Sequence, residues 1–273
     1  MTAKDISRKT VVAVLVATIA ALVGRSWLAV HLRQTGMSLT TAADLSYLIV
    51  PPILLVLLFP IWKTEKQFLA DQFQIRDLSL RLIGRAFAIG LLIRILWWSQ
   101  VVAGGSFGFY SSKDPDAIIG PIFSFQCPAP EVVFLGFVVM AMIVPLIEEI
   151  TNRGFFQTAL YRRGPVFAII VSSMIFAVFH RFDAWPTVFL IGLIFGTQYR
   201  TTRSLWSSMV THATVNGLIQ IDWRCLSGQW NPRPDELPLL VPGVSAVLVF
   251  VSSLIMLLFL LHRTATEARK SPR

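Results

Sequence analysis

Eight apolar runs divide the sequence, at roughly 10–30, 45–62, 82–101, 131–150, 165–181, 184–199, 204–221 and 238–262. About 20 apolar residues make one helical crossing of a hydrocarbon layer. Inside lipid, a crossing segment must satisfy its own backbone hydrogen bonds. The runs therefore predict an all-α fold, a polytopic transmembrane helical bundle of about eight spans. Composition agrees: 14% of the 273 residues are charged and 55% are hydrophobic, against about 25% charged in an ordinary soluble domain. No internal repeat, low-complexity tract or soluble insert interrupts the runs, so residues 1–273 read as a single integral-membrane domain. Between the second and third runs, residues 63–81 mix charged and apolar residues at helical spacing, as in a helix lying along the inner surface.

The net charge of +9 would suit nucleic acid if the basic residues clustered, but they lie between the apolar runs, so no nucleic-acid partner is expected. With the N-terminus inside, the inner segments hold 16 of the 24 Lys and Arg. The outer segments hold 5: Arg33, Lys113, Arg181, Arg224 and Arg233. The other three, Arg25, Arg94 and Arg153, fall within or next to apolar runs. That bias places both termini in the cytoplasm. Trp62, Trp97, Trp98, Trp185, Trp206 and Trp223 fall near predicted span ends, as an aromatic belt requires. The first run has a basic lead but no small-residue cleavage site before a polar mature sequence, so it reads as an uncleaved span. A bacterial inner membrane fits this charge bias. Cys127 and Cys225 both fall in predicted outer loops. They read either as one disulfide or as two unrelated thiols.

Polar residues inside such runs are expensive and ask for a reason. Glu148 and Glu149 are adjacent at the end of the fourth run, and Arg153 follows. Glu149 and Arg153 are four apart and share a helical face, while Glu148 is turned about 100° away. His180 closes the fifth run, sharing a face with Phe176, and His212 and Asn216 share a face of the seventh. Each has a plainer use alone: an ion pair, an interfacial histidine, interhelical hydrogen bonding. Arg25 and Arg94 read as structural or as lipid-headgroup contacts. Together the group suits amide hydrolysis. A carboxylate held out of bulk water can take a proton from an attacking water. One histidine can help hold that water, and a second with an asparagine amide can donate to the oxyanion.

The order Glu148-Glu149-x-x-x-Arg153, Phe176-x-x-x-His180, His212-x-x-x-Asn216 resembles the CPBP family of CAAX proteases and bacteriocin-processing enzymes. These are Abi-type glutamic intramembrane proteases, related to CAAX prenyl protease 2. The similarity covers about residues 130–221, the expected catalytic core, and includes "RGFFQTALYRR" after the glutamates. The resemblance implies that Glu148 activates water, that His180 assists it, and that His212 and Asn216 form the oxyanion hole. Glu149 and Arg153 match supporting positions. It implies no cofactor and no metal; a zinc site of Glu and His is conceivable, but the sequence has no His-Glu-x-x-His.

The expected activity is glutamate-dependent hydrolysis of a peptide bond in a membrane-associated, lipid-anchored or sorting-signal protein. The partners are then a protein or peptide substrate and the bilayer. The alternatives are a non-enzymatic immunity or partner-binding membrane protein, a zinc hydrolase, and a proton-coupled transporter. Against the last, no repeat or matching pair of broken helices is visible. One tension stands: counting residues puts His180 at the outer end of its span and Glu148 near mid-depth. Either the connection after His180 dips into the bundle, or the span boundaries differ from those given.

Overall fold

The first helix begins where the sequence offers a cap: the Ser7 hydroxyl accepts the Thr10 N–H, satisfying a donor that the first helical turn leaves free. In the computed structural model, which describes residues 6–73, 79–106, 129–180, 182–220 and 243–270, this helix is α1, Arg8–Gln34. Ser38 caps α2, Leu39–Leu57, in the same way. Two short helices follow, α3 (Phe59–Thr64) and α4 (Lys66–Gln72), then the long α5, Leu80–Ser106. A continuous helical rod, α6, runs Pro130–Arg163. It is succeeded by α7 (Pro165–Val178), α8 (Trp185–Thr202), α9 (Leu205–Ile219) and α10 (Gly243–Lys270). No strand occurs among the described residues.

Each predicted run thus has its helix. Four are long and apolar enough to cross a membrane: Arg8–Gln34, Leu80–Gly104, Pro130–Arg163 and Gly243–Thr266. With 27 residues, α1 is about 40 Å long, but α7 with 14 and α9 with 15 reach only about 21–23 Å at 1.5 Å per residue. These short helices sit among the long ones: α7 packs along α8, α9 along α5, and α5 along α10, while α1 pairs with α2. The amphipathic 63–81 stretch is represented by α3 and α4. The suggested Cys127–Cys225 bridge lies outside the described residues, as do Lys113, Arg181, Arg224, Arg233 and Trp223.

Two boundaries differ from the hydropathy reading. The helix of the fourth run does not stop near 150 but continues to Arg163. The polar stretch that suggested an end, Ile150–Gln157, is entirely buried, so its polarity is hidden from lipid. Similarly α5 continues to Ser106, which places Trp97 and Trp98 more than a turn inside its end. There they take the Arg94 guanidinium, at 4.3 and 5.3 Å from the two ring centroids.

Two apolar clusters hold the bundle on either side of its polar centre. Val14, Phe68, Ile150, Phe155, Tyr199 and Leu205 join α1, α4, α6, α8 and α9 at one end. Ile89, Ile93, Phe176, Phe195, Val215 and Leu257 join α5 and α7–α10.

Candidate active site

The α6 rod is not a regular α-helix. Val138–Ile143 and Ile150–Gln157 are wound as π-helix, with Val144–Glu149 in α form between them. Pro145 explains the first widening. It has no N–H to give and its ring crowds the carbonyl four residues back; the preceding turns relax so that Val144 N–H bonds Val139 O, five residues back. Wide turns leave carbonyls to satisfy, and side chains do so around the glutamates. The Thr151 hydroxyl donates to Ile147 O (2.9 Å) and the Asn152 amide to Glu148 O (2.9 Å). The carbonyl of Arg153 accepts the Thr158 hydroxyl. Such π segments gather at functional sites, and here they flank the two adjacent carboxylates.

Glu149 and Arg153 are both fully buried, and Arg153 Nε lies 3.4 Å from Glu149 Oε2. The ion pair anticipated from their spacing is therefore present. The guanidinium also sits over the rings of Phe176 and Phe195, at 4.9 and 5.7 Å. Glu149 has a second partner that spacing did not suggest. His212, on α9, brings Nδ1 to 3.1 Å from Glu149 Oε1. The other ring nitrogen, Nε2, lies 3.8 Å from Glu148 Oε2. Phe195 stacks on the imidazole at 4.9 Å between centroids, and Phe176 meets it edge-on. Arg153, Glu149, His212 and Glu148 form one chain of ionisable groups, with Glu148 at its open end. Although turned about 100° from Glu149 on the helix, Glu148 is joined to it through the His212 ring.

Glu148 retains 22% side-chain exposure because it lines a cavity. His180 lines the same cavity, with Phe176, Thr151 and Asn152. Its volume is about 60 Å³, room for several waters at ~10–15 Å³ each. His180 follows the C-terminal end of α7 in a bend, where Nδ1–H donates to Phe176 O at 2.8 Å; Nε2 is then the nitrogen available for chemistry. Trp185 Nε1–H bonds His180 O and fixes the turn into α8. The tension over His180 eases on both counts: α7 ends at Val178 with His180 on the cavity it shares with Glu148, and the helix of the fourth run continues to Arg163.

Of the six residues singled out in the sequence, five are brought together: Glu148, Glu149, Arg153, His180 and His212. Asn216 lies one turn past His212 on α9, half-buried, and is not part of the cavity lining. Thr151 and Asn152 escaped notice because their role depends on the π winding, which no spacing rule reveals. Among the described residues, no group of three or more His, Cys, Asp or Glu is arranged to hold a metal ion.

A bundle of apolar helices enclosing paired glutamates and two histidines defines a class, the helical integral-membrane proteins with an internal polar site. Within that class, residues 130–218 match the family described as Rce1-like: type II CAAX prenyl endopeptidase Rce1-like. The match covers about a third of the chain, and it contains every one of the six residues. The CAAX protease-like resemblance read from the motifs is borne out over this region. No curated protein and no solved structure matches the chain.

Proposed function

We propose that this chain is an intramembrane endopeptidase of the glutamic type, cleaving a peptide bond in a membrane-associated, lipid-anchored or sorting-signal protein. The carrying observation is that Glu148 and His180, from separate helices, line one cavity inside an apolar bundle, with His212 at the Glu148 carboxylate. The family match to a prenyl endopeptidase supports the reaction type.

In this reading Glu148 takes a proton from a water that His180 Nε2 helps to hold. The water oxygen adds to the scissile carbonyl, and the proton passes from Glu148 to the leaving amine as the C–N bond breaks. His212 has its Nδ1–H anchored on Glu149, so a hydrogen on Nε2 would point towards the reacting centre. The Glu149 carboxylate is the acceptor that orients the ring, much as an acid orients a histidine in other hydrolytic sites. Asn216 is the second oxyanion donor, as the family resemblance implies. The reaction needs no cofactor or metal, so cleavage should persist in excess chelator.

The test is comparative proteomics of membrane and secreted fractions from cells carrying the wild type or Glu148→Gln. That change keeps the shape but removes the base. At least one protein should change its terminus in the variant. If Glu148→Gln and His180→Ala both retain full function in cells, proteolysis is excluded and a non-enzymatic partner-binding role takes its place. Residency in a bacterial inner membrane, crossed eight times with both termini inside, belongs to the same proposal.

A further inference from the structure

The cavity has a second wall, and it comes from helices outside the family-matched region. Arg25 of α1 and Tyr47 and Pro51 of α2 line it together with Glu148 and His180. Read from the sequence, Arg25 was a structural or headgroup-contacting residue. The fold gives it a different setting. Its guanidinium carbon sits 4.1 Å from the centroid of the Tyr47 ring, so the cation rests on an aromatic face. Its Nε is buried and has no hydrogen-bond partner among the described residues. Two carboxylates, Glu148 and Asp44, lie within electrostatic reach of the same tyrosine. Yet neither forms an ion pair with Arg25 among the described residues. Most of the remaining lining is apolar, including Ala21, Leu22 and Leu54.

A guanidinium that opens into an apolar cavity, without a direct counter-charge, is costly in a membrane and favours an anionic occupant. Its flat fork suits two oxygens of one carboxylate or phosphate better than it suits a neutral amide. Resting on the proteolytic reading of the cavity, we propose that Arg25, held on Tyr47, is its anion-binding subsite. It takes one carboxylate or phosphate group beside the peptide bond that Glu148 attacks. The matched region would then supply the reaction, and α1 and α2 the selectivity. The anion has two possible sources: the free C-terminal carboxylate of a short leaving peptide, or the phosphate of a lipid entering with the substrate.

The experiment reads affinity apart from turnover. The Glu148→Gln protein is placed in phosphatidylcholine nanodiscs and titrated with a fluorescent prenyl-cysteine peptide ending in a free carboxylate, and with its carboxamide twin. Charge-assisted hydrogen bonds of this kind change affinity about tenfold or more. The acid should bind that much tighter than the amide, and adding Arg25→Gln should make the two equal. Arg25→Lys should restore part of the difference. Tyr47→Leu leaves the cation but removes its platform, and should reduce the preference without abolishing it, which guards against a folding defect in the Arg25 variants. If acid and amide bind alike, but phosphatidylglycerol displaces the peptide only when Arg25 is present, the subsite stands and its ligand is a lipid phosphate. If Arg25→Gln alters neither comparison, the subsite is overturned. Turnover of the acid peptide by the wild type is scored separately. Its failure would exclude a prenyl-cysteine substrate, and only failure of the cellular Glu148→Gln test would sink the protease reading; either leaves an Arg25-dependent affinity difference in place.

Discussion

Arg153 has no exposed surface, and neither does the carboxylate it faces. Their 3.4 Å approach is an ion pair without hydrogen-bond alignment: the guanidinium nitrogens of Arg153 and Oε2 of Glu149 have no hydrogen-bond partner among the described residues. Such a pair contributes little over a well-packed apolar alternative, yet breaking it from one side leaves a buried charge uncompensated. Glu149→Gln is therefore expected to destabilise the protein by about 3–5 kcal/mol, measured as a shift in the unfolding midpoint in detergent. Glu149→Gln paired with Arg153→Met should recover much of that loss. The recovered stability should not bring back activity, because His212 would still lack its carboxylate acceptor. Asn216→Ala tests the proposed oxyanion donor that does not line the cavity and, unlike His212, makes no hydrogen bond or ion pair with either glutamate among the described residues. An oxyanion donor lost should lower kcat by about 10²–10³-fold, with a smaller effect on KM. An unchanged kcat would leave His212 as the sole side-chain donor. At this scale the sequence revealed what lies within one helix. The Glu149–Arg153 pair follows from spacing alone. The His212–Glu149 contact joins residues 63 apart, so it waits on how α9 meets α6.

At the scale of whole elements, the cover that neighbouring helices give Ile150–Gln157 explains why α6 runs on past residue 150, where hydropathy places its end. Hydropathy averages over a window and treats Thr151, Asn152, Arg153 and Gln157 as exposed to lipid. Neighbouring helices instead cover them; Thr151 and Asn152 bond carbonyls of α6 itself, and Gln157 finds partners on the neighbours. The Gln157 amide donates to Gly196 O of α8 and accepts from Ser172 of α7, and Thr158 shares a hydrogen bond with Tyr199. Polar contacts between helices and close approach at small residues drive association where lipid competes with apolar packing. Gly90 shows how close the approach is. A Cβ there would meet Thr214 Cβ at 2.7 Å and the Thr211 backbone oxygen at 2.8 Å. Because one of those atoms is backbone, α9 cannot yield by turning a side chain. Gly90→Val is expected to push α5 from α9 and cost about 1–3 kcal/mol. His212 rides on α9, so cleavage should fall with stability. A variant with full stability and full activity would show that this crossing does not position the site.

Across the whole molecule, hydrogen bonds between distant segments show which helix ends lie together. The Arg162 guanidinium donates to Ile6 O, the Thr10 hydroxyl reaches Glu65 at 3.5 Å, and the Tyr199 hydroxyl bonds Gln72. One end of the bundle therefore gathers the start of α1, the α3–α4 segment, and the last turns of α6 and α8. At the other end, a Cβ on Gly136 would touch Gln220 and Asp44, so the start of α2, the start of α6 and the end of α9 meet there. The contacts put Lys63, Lys66, Arg162 and Arg163 at the same end as the start of α1, as alternating helices would. The contacts set which helix ends lie together, and the charge bias proposes which side each end faces. The prediction is thus one of sidedness. With Cys127 and Cys225 first replaced by serine, a cysteine at exposed Arg163 should react with a membrane-impermeant maleimide only after the cells are opened. A cysteine at exposed Thr35, at the other end of α1, should react in intact cells. Labelling of both from the same side would break the alternation of α1 and α6. Labelling with the sides exchanged would keep the bundle but reverse its orientation, and the positive-inside rule would then have failed for this chain.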